Sequence, residues 1–348
     1  MVLAAFLATR VLAIAATHAG ALFMSPQKQA EWAWIPGRSD LLVLPPPPAV
    51  LAPLIRWDAP FYLALAKEGY PAPRGEPPVY HLGFLPLYPL AVRAFEHVLG
   101  NFFWAAFAVS NLSTLLAALL MLKLGGCRAA LLFLASPGAH FLAYPYSEAL
   151  FALGLAAALV ALQSERLGLA AFAGAAASAT RPPGVAVAVA LIAHAPRRLR
   201  NWAAAAAALS GMIAFMAWCR ERYGDALAFV QIQGHHRREL SLLGPVKAFL
   251  AFDQDPDYYL LAIACLFVAV KMIRRTPAWT WITAWFLLLL PIATGTLQAL
   301  IRYQAVNLPL LCGVPILVPG RGFRWVLTVC LALMVLEAFL YGKGIGHN

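Results

Sequence analysis

What this chain can fold into is limited first by its apolar segments. From Asn101 onward they recur at close intervals, most of them near the length of a membrane crossing, and short links carrying Lys and Arg join many of them. Backbone in hydrocarbon has no water to bond, so each such segment is expected to satisfy its own N–H and C=O groups as a helix. Composition agrees, with 62% hydrophobic residues, a mean hydropathy of +0.74 and only 12% charged residues, against roughly 25% charged in soluble domains. The expectation is an all-α polytopic membrane protein forming a single integral membrane domain over 1–348.

The first apolar run, Val2 to Met24, is long enough to span, and its charge, Arg10, sits in the middle rather than at the front. It therefore reads as an uncleaved first helix, with Arg10 turned toward a carbonyl or carboxylate inside the protein. Further spans are expected near 101–122, 129–146, 148–164, 167–180, 183–195, 201–219, 258–272, 278–299, 303–318 and 324–341, about eleven in all. Arg181-Pro182-Pro183-Gly184 interrupts one apolar stretch, and a turn there, with a cytoplasmic N-terminus, collects Lys123, Arg128, Arg166, Arg197, Arg198, Arg200, Lys271, Arg274, Arg275, Arg321 and Arg324 on one side. Basic residues in short loops stay cytoplasmic. The formal net charge of +11 thus reflects topology, and nucleic acid is not an expected partner. Two long loops, 25–100 and 220–257, then fall on the opposite face and are expected to form an extracytoplasmic layer with a juxtamembrane helix. The Ala-rich spans suggest a GC-rich genome, and the expected setting is the plasma membrane of a prokaryote, crossed many times. Five cysteines without CxxC spacing indicate neither a disulfide framework nor a zinc site.

Within the first loop, Arg56-Trp57-Asp58-Ala59-Pro60-Phe61-Tyr62 sets one carboxylate at the start of a short helix closed by Gly69 and Pro71. Asp58 is an N-cap in one reading and a general base in the other, and the two roles are compatible. No GxGxxG turn, P-loop or Asp-x-Asp motif for a nucleotide-linked donor is present. Adjacent His235 and His236 point differently, and Asp253, Asp255 and Asp257 read as a loop and helix start, so neither a metal nor another cofactor is expected.

Arg56-Trp57-Asp58-Ala59 with Tyr62 resembles the RWDA-x-x-Y signature of the PIG-V-like mannosyltransferases, relatives of the enzyme that adds the second mannose to the GPI anchor. Leu85-Pro86-Leu87-Tyr88-Pro89, Ser136-Pro137 followed by Tyr146-Ser147-Glu148, and Arg181-Pro182-Pro183-Gly184 resemble later motifs of that family in the same order. The chain departs from the pattern at Pro183, in its short C-terminal half and around Arg302. The resemblance implies a GT-C glycosyltransferase fold and an inverting enzyme. Its sugar, most simply mannose, would come from a polyprenyl- or dolichyl-phosphate donor and go to an extracytoplasmic glycolipid or glycan. A protein O-mannosyltransferase-like enzyme is a variant of the same reading.

The implied roles are Asp58 as base and Arg56, Trp57, Tyr62, Tyr146 and Glu148 in substrate binding. Arg181, His235, His236 and Arg302 would contact the donor phosphate. Each has a plainer rival. Arg56, Arg181 and Arg302 could anchor to headgroups, Glu148 could serve the helix macrodipole, and the histidine pair could be a solvated basic loop. A carrier of lipid-linked sugars and a non-catalytic assembly subunit are the competing functions.

Overall fold

The computed structural model describes residues 1–25, 27, 46–72, 80–235, 240–251 and 254–345. Among these residues the protein is helical throughout, with no strand. α1 (Val2–Ala21) is followed by α2 (Ala59–Glu68), α3 (Leu87–Leu99) and the long α4 (Phe102–Ala135). A 3-10 stretch, Pro137–Ala143, leads to α5 (Glu148–Gln163) and α6 (Leu167–Thr180). A second such turn, Pro182–Val185, leads to α7 (Ala186–His194), α8 (Leu199–Ala208) and α9 (Ser210–Tyr223). The remainder is α10 (Ala228–His235), α11 (Gly244–Leu250), α12 (Pro256–Met272), α13 (Ala278–Ile292), α14 (Leu300–Ala305), α15 (Leu308–Leu317) and α16 (Gly320–Gly342).

Among the described residues three helices, α1, α4 and α16, are long and apolar enough to cross a membrane. The count is five if two bent pairs are each one span: the Pro137–Ala143 stretch with α5, bent by 104°, and α8 with α9, bent by 46°. The element boundaries differ from the expected spans in identifiable ways. The stretches 101–122 and 129–146 fall largely in one element, α4, broken at Gly126, where φ 78° and ψ −175° are open almost only to glycine. Ser110, Asn111 and Thr114 bond the carbonyls of Tyr146, Ala143 and Leu142. Partners that descend as the donors ascend mean that the chain doubles back at Gly126. A Gly126→Ala variant should therefore lose about 1–3 kcal/mol, read as a lower unfolding midpoint in detergent. The second stretch ends as a 3-10 turn because Pro137 lacks an N–H. Past Ile292 and at Val306–Asn307 the expected spans 278–299 and 303–318 are likewise interrupted, which leaves α14 as a separate short helix.

Other expectations hold. Arg181 is extended and Pro182–Val185 separates α6 from α7, as a Pro-Pro-Gly break requires. Arg10 is buried and its Nη2 donates to the Ala139 carbonyl at 3.2 Å. Small residues let helices close on one another: Gly154 of α5 lies against Ala173 and Ala177 of α6. A Cβ on Gly342 would meet the backbone of Thr17, and one on Gly20 the backbone of Phe339. The starts of α1 and α16 also meet through α4, where Met1 contacts Cys127 and the neighbouring Arg128 lies over the Phe323 ring, so the two helices run parallel and end together beside Arg56.

α2 follows from its sequence. Pro60 occupies the first turn, where its missing N–H costs nothing, and Gly69 ends the helix at φ 81°. Phe61, Tyr62, Leu63, Leu65 and Ala66 are buried, and Arg93 of α3 donates from Nε to the Ala66 carbonyl at 2.8 Å. Asp58 is thereby held on a packed element rather than on a free loop.

Candidate functional site

Four separate stretches bring ionised side chains together. Asp58 precedes α2, Glu148 opens α5, Arg181 sits in the α6–α7 break and Arg302 lies on α14. Arg302 Nη1 donates to Asp58 Oδ2 at 2.5 Å, while its Nε donates to Glu148 Oε1. Arg181 Nη1 donates to the same Glu148 oxygen at 2.5 Å and to Ser147 Oγ at 3.0 Å. Ser147 Oγ in turn meets Tyr62 OH at 2.5 Å. Two guanidinium groups and two carboxylates make the cluster formally neutral.

Exposure separates the two acids. The Glu148 side chain is 1% exposed, whereas that of Asp58 is 30% exposed. Glu148 is the buried hub; Asp58 is the acid that an incoming molecule can reach. Glu148 Oε2 is buried without a hydrogen-bond partner, so the stability of that carboxylate rests on the two arginines at Oε1.

Aromatic rings complete the surroundings. The Arg302 guanidinium lies 4.7 Å from the Tyr146 ring centroid and 5.4 Å from that of Phe141, and Arg181 lies 5.5 Å from that of Tyr303. Such contacts favour the cation most where water is scarce. Burial pushes the Tyr62 phenol up to about 12, which keeps it a neutral hydroxyl toward Ser147.

Backbone strain gathers here as well. Trp57, just before Asp58, has φ 48°, and Ala299, three residues before Arg302, has φ 62°. These are two of the three non-glycine residues with positive φ among the described residues. A conformation of that kind persists only where packing over-determines it. For Trp57 the packing is visible: its ring lies 4.4 Å from that of Tyr341 in α16.

The placement of the sequence candidates is mixed. Asp58, Glu148, Arg181 and Arg302 converge, with Tyr62 and Tyr146 beside them. Asp58 makes no capping bond to α2, so the N-cap reading gives way to the pairing with Arg302. Arg56 neither orients Asp58 nor reaches a headgroup. It is buried, and its Nη1 donates to the carbonyls of Tyr341 and Gly342 at 3.0 and 2.7 Å, satisfying the end of α16. Tyr146 is fully buried and donates to the Arg56 carbonyl at 2.7 Å. Both differ from the expected substrate contacts: they are anchors that hold the segment before Asp58 against α16. Loss of this charged anchor in Arg56→Met should cost about 1.5–3 kcal/mol, the worth of a hydrogen bond to a charged group, measurable as reduced resistance to unfolding. Arg181 is buried and is bound to Glu148 and Ser147. His236 and the side chain of His235 lie outside the described residues.

Ser147, Phe141 and Tyr341 belong to the site although the sequence assigned them no role. Ser147 had a visible signal in its position beside Glu148. Tyr341 had none, since only the fold brings the end of the last helix to Trp57. Among the described residues no group of three or more His, Cys, Asp or Glu side chains is arranged to hold a metal ion. Comparison with protein-family models, with curated proteins and with solved structures finds no significant match to this chain.

Proposed function

We propose that the protein is an inverting glycosyltransferase of the GT-C type, with Asp58 as general base. It would move mannose from a polyprenyl- or dolichyl-phosphate donor to a glycolipid or glycan on the extracytoplasmic face. The observation that carries this reading is the asymmetry of the cluster: one arginine, Arg302, bridges a reachable carboxylate and a buried one. In the proposed topology the shorter apolar helices cross the membrane as well, for about eleven crossings, and the cluster lies at the extracytoplasmic end of α5.

The charge flow of such a transfer suits this arrangement. The acceptor hydroxyl gives its proton to Asp58 as its oxygen bonds to the anomeric carbon. The bond from that carbon to the phosphate oxygen breaks, and its electron pair leaves with the lipid phosphate. Negative charge disappears at Asp58 and appears at the phosphate. Arg302, released from Asp58 as the carboxylate is neutralised, can turn its Nη1 donor to the leaving group, so no new cation has to be brought in. Glu148, held between Arg181 and Arg302, keeps Arg302 in place during that exchange.

Incubation of the detergent-solubilised protein with total membrane lipid and either radiolabelled polyprenyl-phosphate mannose or GDP-mannose tests the reaction class. Transfer from the lipid donor alone, unchanged by EDTA, is the expected result. Transfer from the nucleotide sugar alone would contradict it, and so would movement of the intact lipid-linked sugar between leaflets without transfer.

A further inference from the structure

A cavity lies beside the end of α5 that is opposite the charge cluster. α5 has Glu148 in its first turn and Gln163 at its last position, about 22 Å apart at 1.5 Å per residue. Two residues separate α15 from α14, the helix that carries Arg302. Beside the far end of α5 and along α15 is a partly open cavity of about 140 Å³, walled by Leu124, Leu159, Ile316 and Trp279, with Gln163, Thr276 and Thr280 as polar points. A cavity of about 150 Å³ accommodates a benzene-sized apolar group. The space therefore suits a short run of hydrocarbon rather than a sugar or a nucleotide.

The rim is cationic. Lys123 immediately precedes the lining residue Leu124, and Arg274 and Arg275 immediately precede the lining residue Thr276; all three are exposed. None of them is in an ion pair among the described residues. Glu165 is the one acid in the loops that hold the eleven clustered Lys and Arg residues, and it is engaged elsewhere. It contacts His194 at 3.6 Å, Arg198 at 3.6 Å and Arg200 at 3.4 Å. An apolar cavity with an uncompensated basic rim between membrane helices calls for an anionic headgroup with a hydrocarbon tail.

We propose that this cavity binds an anionic phospholipid of the leaflet on the basic side. A stretch of acyl chain enters beside Trp279, and the phosphate lies at Lys123, Arg274 and Arg275. The bound lipid packs between α5 and α15, the helices that lead to Glu148 and Arg302. The site is independent of the proposed transfer reaction.

Native mass spectrometry of the full-length protein in detergent, titrated with phosphatidylglycerol, phosphatidylcholine or inorganic phosphate, tests this directly. The wild type should retain phosphatidylglycerol at least about tenfold better than phosphatidylcholine, and should hold no free phosphate, given the attraction of three basic residues for an anionic lipid. The surface variant Lys123→Gln/Arg274→Gln/Arg275→Gln, which leaves the cavity intact, should lose the preference. Thr280→Trp, which fills the cavity, should lose retention of both lipids while keeping the wild-type unfolding midpoint. Equal retention of the two lipids by the wild type would overturn the proposal, as would unchanged retention in the triple variant or tight binding of phosphate alone. If Thr280→Trp fails to fold, the triple variant decides.

Discussion

Glu148→Leu should be the most damaging single substitution to stability in this protein, at about 3–5 kcal/mol, the usual effect of removing one partner from a buried ion pair. The side chain is 1% exposed and its Oε1 accepts from both Arg181 and Arg302. Without it, two buried guanidinium groups face each other with only Asp58 to balance them. The same reasoning predicts a rescue. In Glu148→Leu/Arg181→Leu one positive and one negative charge leave together, the remaining Arg302–Asp58 pair is balanced, and two apolar side chains fill the space. Replacing a buried pair by apolar groups is often close to neutral. Unfolding midpoints in a fixed detergent, measured for both singles and the double, would show a strong positive coupling between the two sites. A double variant as unstable as Glu148→Leu alone would mean that the carboxylate matters for something other than neutralising Arg181.

Asp58→Asn should have the largest effect on activity and a small one on stability. The amide keeps the shape of the side chain, and its oxygen can still accept from Arg302 Nη1. At 30% side-chain exposure, the site tolerates the change in charge far better than the buried Glu148 position. What the amide cannot do is take a proton from an acceptor hydroxyl. A positioned general base contributes about 10²–10⁴-fold, so kcat should fall by at least about 100-fold while the unfolding midpoint moves little.

The outline of both fold and site was legible in the sequence, for definite reasons. Apolar segment length pointed to an all-helical chain with several candidate membrane spans, and Arg181-Pro182-Pro183-Gly184 revealed a break because proline removes a donor and constrains the residue before it. Asp58, Glu148, Arg181 and Arg302 stood out because ionised groups are costly in an apolar chain and must find one another. Their partners were not legible. Nothing local to Arg56 says that it serves the end of α16 some 285 residues later. The reversal at Gly126 is equally hidden: Gly125-Gly126 within an apolar run can be packing or a turn, and only the bonds from Ser110, Asn111 and Thr114 to 142–146 decide. Nor does spacing tell that Asp58 pairs with Arg302 in preference to the N–H groups of its own helix.

The central claim is that Asp58 takes the proton in a transfer whose departing charge Arg302 balances. It is tested most directly by measuring, in one detergent preparation each of wild type and Asp58→Asn, both retention of radiolabelled polyprenyl-phosphate mannose and transfer of the label to lipid acceptor. The account predicts equal donor retention and a loss of transfer of at least about 100-fold in the variant. Equal transfer by the two proteins would contradict it.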